Sequence, residues 1–384
     1  MRIYIKTQGA RIIKEGRHLL VKKGKDTYQT LFTHKLKQLL LFGNIEITHF
    51  ALCQLLRHNI DTVFLTQNGR FLGRLDQPES KNVFLHKKQY ELLDDNEFQL
   101  KMAKAIVAGK LLNMATFLMR IKRSKKAHFS GKKAKEIKQL ISKMEQASDV
   151  NAVRGYEGKG SALYFSGIVH GFTDNFGFTK RVRRPPTDPI NSVLSLLYTF
   201  LMNQTYSAVR ITGLDPYPGF LHTIDYGRYS LVLDLMEEFR TIIADTLTLS
   251  LFNLKILQQK DFICEKPPTK STQAEGLPLK DICDDPIGKM TFSESEQKIF
   301  DMPEQRIEEK TVKSIQLTGK YPVKLREDSF KRVIAAYEKK ISTTFYYPPA
   351  QKNLTYMDAL IYQAEHYRKI IEGKYETYQP LLMR

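Results

Sequence analysis

Four residues of this 384-residue chain could do chemistry together: Glu157, His222, Asp234 and Glu237. Glu157 lies in RGYEGKGSALYF. On a helix it shares a face with Ser161 and Tyr164, four and seven residues on, and Gly158 and Gly160 leave the neighbourhood uncrowded. Taken alone, such a glutamate is an exposed helical residue. His222 sits in GLDPYPGFLHTIDYGRYS, a loop punctuated by Pro and Gly, where a single histidine is ordinarily a surface or hydrogen-bonded group. Asp234 and Glu237 stand three apart in SLVLDLMEEFR, on one face of an otherwise apolar helix, with Leu231 and Glu238 crowding the same side. Acids placed among Leu, Val and Met must find a partner or a metal, or take up a proton. Two carboxylates and a neutral imidazole make a site for one divalent cation. Oxygen ligands suit Mg²⁺ and Mn²⁺, and an added nitrogen leans toward Mn²⁺ or tolerance of both. Near a polyanion, such an ion polarises a phosphate and activates an attacking oxygen. The spacing alone does not select this chemistry over a structural role for each residue. Other signatures fail: there is no G-x-S-x-G, no Walker-type phosphate loop, no G-x-G-x-x-G after a strand and no H-E-x-x-H.

The elements that must position these residues change character along the chain. Residues 1–85 read as a β-rich domain. Met1–Thr7 alternates, Ala10–Lys14 and Arg17–Lys23 are short strand-like runs around Gly16, and Gly24 closes the second. Val63–Thr66 and Phe71–Leu75 flank Gln67-Asn68-Gly69, a hairpin turn signal. Thr48–Arg57 has helical spacing, with Phe50, Leu55 and Leu56 on one side. A polar, Pro-containing boundary falls in Asp76–Lys88. Residues 86–384 then read as a larger all-α domain. Helical periodicity runs through Asn96–Arg123, Lys135–Glu145, Ala152–Phe165, Pro189–Asn203, Ser230–Phe252, Asp328–Ser342 and Tyr356–Glu372. Asp188-Pro189-Ile190 is a cap with Pro in the first turn. Residues 266–322 are polar and weakly periodic, a linker or insertion. The class is α+β: a small β-sheet-rich domain followed by a helical one.

Charge narrows the partners. Lys plus Arg is 60 against 41 Asp plus Glu, a net of +19. Asp261–Lys310 carries −5, which leaves +24 on the rest. The densest basic stretch is Arg120–Lys138, with nine Lys or Arg against the single Glu136. Such a run can be a solvated face, but with this global excess it points to nucleic acid, whose phosphates release counterions when neutralised. A membrane surface fits less well, because the run lacks an opposing apolar face and the chain has no Trp. No apolar run approaches the ~20 residues that cross a bilayer, and the start lacks a signal-peptide apolar region. Cys53, Cys264 and Cys283 are far apart with no C-x-x-C, which argues against a disulfide framework or a structural zinc. These features point to a soluble, cytoplasmic protein.

The motifs together resemble the integrase-endonuclease family of CRISPR adaptation, "Cas one". GYEGKGSALYF (155–165) resembles its first metal motif, RRPPTDPINSVLSLLYTFL (183–201) its Arg-Pro-Pro segment, GLDPYPGFLH (213–222) its histidine motif and GRYSLVLDLMEEFR (227–240) its acidic helix. LLLFGNIEIT (39–48) and VFLTQNGRFLGRL (63–75) agree in the β domain. Gly160 and Ser161 stand where small alanines are usual, Thr241 where Pro is common, and the 266–322 stretch is long for the family. The resemblance implies Mg²⁺ or Mn²⁺ held by Glu157, His222 and Glu237, with Asp234 a further acidic position near the metal. It implies insertion of prespacer DNA into a CRISPR array by 3′-hydroxyl attack on a phosphodiester, a homodimer formed through the β domain, and a complex with the second adaptation protein, "Cas two". Lys122, Arg123, Lys125, Lys126, Arg181, Arg183 and Arg184 are the candidate contacts to double-stranded DNA. A stand-alone repair nuclease and a DNA-binding member without catalysis are the alternatives. Intact ligands speak against the second.

Overall fold

The computed structural model describes residues 1–24, 26–67, 69–75, 82–182, 185–264 and 321–383. Arg183, Arg184, Cys283 and nearly all of the 266–322 insertion lie outside the described residues. Two units divide the chain, Met1–Lys81 and Asn82–Arg384.

In the first unit the described strands form two four-stranded sheets. Strands β1 (Arg2–Ile5), β2 (Ala10–Glu15), β3 (His18–Lys23), β4 (Asp26–Phe32), β5 (Gln38–Phe42) and β6 (Ile45–Ile47) precede helix α1 (His49–Arg57), and β7 (Asp61–Leu65) and β8 (Phe71–Leu75) follow it. One sheet runs β1-β5-β7-β8, the other β4-β3-β2-β6. β5 lies parallel between β1 and β7 and every one of its residues is buried. Covered strands of this kind lose polar alternation, which is why QLLLF carries no period-2 signal. β4 fails the same test for the opposite reason, since Leu31 is its only buried residue. β7 and β8 pair antiparallel, as the turn signal expects. α1 corrects the sequence reading of its face: Ala51, Gln54 and Leu55 are buried, while Phe50 is 71% exposed. The unit's core gathers Ile3, Ile12, Leu19, Leu31, Leu39 and Leu55.

The second unit is helical: α2 (Val83–Glu91), α3 (Asn96–Lys125), α4 (His128–Met144), α5 (Val150–Ile168), α6 (Pro189–Ile211), α7 (Ser230–Phe239) and α8 (Thr246–Asn253), with α9 (Glu327–Ile341) and α10 (Tyr356–Ile371) later. It also carries two short antiparallel ribbons that periodicity does not show, β9 (Phe262–Cys264) with β10 (Val323–Leu325), and β11 (Thr344–Tyr347) with β12 (Lys352–Thr355). The helix starts are chemically specified. Asp95, Asp149 and Asp188 cap α3, α5 and α6, accepting from Phe98 N, Ala152 N and Asn191 N at 2.8–2.9 Å. The Asp188-Pro189 start expected from the sequence is therefore present.

α3 runs 30 residues and is apolar enough over one window to cross a membrane, although two-thirds (67%) of that window is buried inside the unit. Consecutive apolar runs do not reveal this, because Lys104 and Lys110 interrupt them. The continuous Ser230–Phe252 helix is broken: a π-helical turn at Arg240–Asp245 separates α7 from α8. Such an insertion shifts the side chains that follow it around the axis, and it is frequent at functional sites.

Candidate active site

Three segments far apart in sequence bring the chemistry together: Glu157 from the middle of α5, His222 from the α6–α7 loop, and Asp234 and Glu237 from α7. Helical arithmetic holds at Glu157, where Ser161 Oγ, one turn on, donates to its Oε1 at 3.0 Å. Tyr164 turns away instead, and its hydroxyl donates to Asp245 at 2.7 Å.

The histidine loop is built around Asp234, whose side chain is fully buried. Its Oδ2 accepts from Phe220 N at 2.6 Å and Leu221 N at 2.9 Å, and its Oδ1 from His222 N at 2.9 Å. Successive amides converging on one carboxylate make a nest for its charge. Gly219 permits the approach. A Cβ there would stand 2.6 Å from the Ser230 carbonyl carbon and 2.8 Å from Asp234 Oδ2. His222 Nδ1 also meets Asp234 Oδ1, at 2.6 Å. With Nδ1–H donated to a carboxylate, Nε2 carries the lone pair and is the nitrogen presented to the site. The far end of the loop is pinned by α2, an element the sequence reading missed. Gln89 exchanges two hydrogen bonds with the Asp215 backbone, at 2.9 and 3.1 Å, and Tyr90 OH reaches Asp215 Oδ2 at 3.0 Å.

His222 Nε2 faces Glu237 Oε1 at 3.8 Å. Glu237 is 3% exposed, Glu157 28% and His222 14%, so the site opens to solvent on the Glu157 and His222 side and is closed behind Glu237. Two cations absent from the sequence reading complete it. Lys110, from the buried face of α3, places its ammonium between the carboxylates, paired with Glu157 Oε1 and 2.7 Å from Glu237 Oε2. Arg240, the first residue of the π-helical turn, reaches Glu237 Oε1 at 3.0 Å. A Lys and an Asn inside the apolar stretch AGKLLNMATF are the signal that could have found Lys110. Burial works against ionising Glu237, but Arg240 and Lys110 outweigh it and hold the carboxyl at about 2. Glu157 is likewise held below the ordinary carboxylate range, against its burial, chiefly by Lys110. Both acids are ionised throughout the neutral range.

Glu238 diverges from this face, contrary to the crowding read from the sequence. Its buried carboxyl accepts from Tyr378 OH at 2.7 Å, from Gln363 and from the Leu381 amide. Asn113, one turn after Lys110, bonds to the Glu238 carbonyl at 2.9 Å and the Leu381 carbonyl at 2.8 Å. The segment around Tyr378–Leu381 thus straps the helices that carry Lys110 and Glu237. Burial pushes Glu238 up to about 8. With both oxygens taken up by Tyr378, Gln363 and Leu381, it is a structural group rather than a ligand.

Among the described residues, no three His, Cys, Asp or Glu already stand at metal-binding separation. Lys110 occupies the place between the two acids. The donor set still fits a divalent cation: two ionised carboxylates, an oriented imidazole nitrogen, and a buried Glu237 Oε2 that accepts no well-aligned hydrogen bond.

The basic run straddles the α3–α4 turn, where Lys126 adopts a left-handed conformation. Arg123, Lys125 and Lys126 are exposed, whereas the Lys122 stem packs over Gly131. Arg181 is committed internally, donating to Asn191 Oδ1 at 2.8 Å and Ser195 Oγ at 2.9 Å. Its guanidinium lies 5.4 Å from the Tyr198 ring centre.

Comparison with known proteins decides the family. The family model for CRISPR associated protein Cas1 matches residues 3–272. The chain belongs to the Cas1 family. A curated relative, CRISPR-associated endonuclease Cas1 3 of Thermus thermophilus, is 28% identical over all of this chain and 97% of its own length. CRISPR-associated endonuclease Cas1 1 of Chlorobaculum tepidum is 34% identical over 68% of the chain and 78% of its own. The Cas1 fold recurs in the solved structure of a Cas1 protein from Thermotoga maritima, with a TM-score of 0.73, 20% identity and 99% of each chain covered. A casposase bound to its integration product matches with a TM-score of 0.74 at 19% identity, over 98% of this chain and 92% of its own. In a Cas6-RT-Cas1–Cas2 complex the TM-score is 0.76 at 21% identity, and this chain spans 36% of that longer chain. The small strand-rich unit followed by a helical one is thus the Cas1 fold, as the sequence motifs imply.

Proposed function

We propose that this Cas1-family chain is a divalent-cation-dependent DNA endonuclease and integrase that inserts prespacer DNA into a CRISPR array. The observation that carries the reading is the convergence of Glu157, His222 and Glu237, from two helices and a loop, on one solvent-reached place. Relatives named as endonucleases and a casposase bound to its integration product support it.

Glu157, the Nε2 of His222 and Glu237 would hold Mg²⁺ or Mn²⁺. The ion, when bound, supplies charge neutralisation at the phosphate and lowers the cost of deprotonating the attacking hydroxyl. The chain does the rest by positioning. Asp234 fixes the ring of His222 and leaves Nε2 facing Glu237. Arg240 keeps the Glu237 carboxylate ionised, and the buried back of the site keeps it still. The 3′-oxygen of the incoming strand forms a new bond to phosphorus at the repeat boundary. The bond to the resident 3′-oxygen breaks, and that oxygen takes a proton. No covalent enzyme intermediate is needed, so catalysis rests on alignment and charge.

The reading extends to a homodimer through the strand-rich unit, a complex with the Cas2 partner and a cytoplasmic location. Support for the partner comes from the Cas6-RT-Cas1–Cas2 structures of similar fold. The test is joining of a labelled duplex to a repeat-bearing plasmid in the presence of that partner. Product should appear with Mg²⁺ or Mn²⁺, vanish with a chelator and return on re-addition. Joining that persists in the chelator contradicts the reading.

For the DNA surface, replacing Arg123, Lys125 and Lys126 by Ser should weaken duplex binding equally for all sequences. It should also flatten the salt slope by about 0.9 per lost phosphate contact. Lys122 is left in place because its stem covers Gly131. Melting should be unchanged, since exposed charges contribute little to stability. Affinity and slope equal to those of the parent would make the run a solvated face.

A further inference from the structure

We propose that Lys110 is a positioning residue that keeps the cation site in shape: its ammonium stands between Glu157 and Glu237, and an entering divalent cation displaces it. The inference rests on reading Glu157, His222 and Glu237 as the cation's ligands.

Lys110 is anomalous in its burial. It is 5% exposed on α3, amid Val107, Leu111 and Met114, where a Lys almost never sits unless paired. Its partners are the two carboxylates that α5 and α7 aim at one place. Without a cation between them, Glu157 and Glu237 are like charges in a largely dry setting, and they repel one another. The ammonium resolves that repulsion and holds the two acids around a single positive charge. A compact point charge on a flexible four-carbon stem suits the task, because the head can leave while the stem stays packed. Arg240 does not duplicate it. Its guanidinium contacts Glu237 from the other oxygen, and its ring neighbour is Tyr198 at 5.0 Å.

The ammonium and a divalent cation cannot share the place. Lys110 Nζ is 2.7 Å from Glu237 Oε2 and pairs with Glu157 Oε1, the oxygens on either side of it. At such separations two positive charges repel strongly even in a screened setting. Lys110 thus costs the cation affinity while preventing the acids from swinging apart before it arrives.

The test uses the full chain and Mn²⁺ alone as probe, read by calorimetry and by thermal melting with and without Mn²⁺. Lys110→Met should melt lower than the parent in chelator, bind Mn²⁺ about tenfold more tightly or better, and gain more in melting temperature from Mn²⁺ than the parent does. Lys110→Gln, which stays polar toward the carboxylates, should show the same ordering and serves if the Met variant does not fold. Glu237→Gln is measured alongside. Mn²⁺ affinity unchanged or reduced in both Lys110 variants, with binding lost in Glu237→Gln, overturns the displacement while leaving the ligand assignment standing. Mn²⁺ bound equally by the parent and Glu237→Gln overturns the ligand assignment itself.

Discussion

Glu237→Asp should lower strand transfer by about two orders of magnitude while duplex DNA affinity stays close to that of the parent. The carboxylate of Glu237 is held by Arg240 at 3.0 Å and Lys110 at 2.7 Å, and it faces the His222 ring at 3.8 Å. Shortening the side chain by one methylene withdraws the oxygens from that position, and a misplacement of ~1 Å can cost about 10²-fold in rate. Glu157→Ala removes a ligand outright and takes one negative charge from a site meant for phosphates. Transfer should then fall by more than with Glu237→Asp, and duplex binding should hold or rise slightly. Gel-based joining assays and a binding titration on the same preparations check both halves. Normal integration by purified Glu157→Ala would sink the ligand assignment.

Asp234→Asn should have the second large effect. An Asn keeps the shape of Asp and removes only charge, so a mild outcome follows if Asp234 merely lies near a metal. But both carboxylate oxygens are surrounded by donors: Phe220 N and Leu221 N on Oδ2, His222 N and Nδ1 on Oδ1. An amide NH₂ must face one of these pairs, whichever way it is turned. Each buried donor left unmet costs about 1–3 kcal/mol. The loop that presents His222 then loses either its anchor at Phe220 and Leu221 or the bonds that hold the His222 backbone and ring. Melting temperature should fall by several degrees, and transfer should fall about 10–100-fold, as when a ligand's orienting partner is removed. Mn²⁺ binding should weaken in step with activity. A variant that melts like the parent and transfers at the parent rate would show that the Asp234 nest does not set the position of His222.

How far the sequence carries the reader depends on whether a residue's partners are local. Glu157 with Ser161, the Asp188-Pro189 cap and the β7–β8 hairpin are local features, and helical arithmetic, capping chemistry and turn chemistry find them. Phe50 fails because helical periodicity gives a face without saying what covers it. Strand β5 fails because a strand buried on both faces has no alternation left to read. The π-helical turn at Arg240–Asp245 cannot be seen in apolar spacing that continues through it, yet it places Arg240 on Glu237. Lys110 is the largest omission. Its role comes from two acids 47 and 127 residues away along the chain (157 and 237 against 110), contacts that only the packing of α3 against α5 and α7 creates. The carboxylates themselves stand out as acids in an apolar helix, but which of Asp234, Glu237 and Glu238 faces the site is decided by tertiary structure. Asp234 serves the loop, Glu237 the site, and Glu238 the buried contacts of Tyr378 and Leu381.

The central claim is that this site joins DNA strands rather than merely cutting them. The most direct measurement follows a prespacer duplex labelled at its 5′ ends, carrying either 3′-hydroxyl or 3′-deoxy termini, incubated with the chain, its Cas2 partner, Mn²⁺ and a repeat-bearing plasmid. The account predicts that label moves into the plasmid only from the 3′-hydroxyl duplex, and that Glu157→Ala abolishes the transfer. Plasmid nicking at the same rate with both duplexes and no transfer of label would contradict it, leaving a nuclease that uses water in place of the strand end.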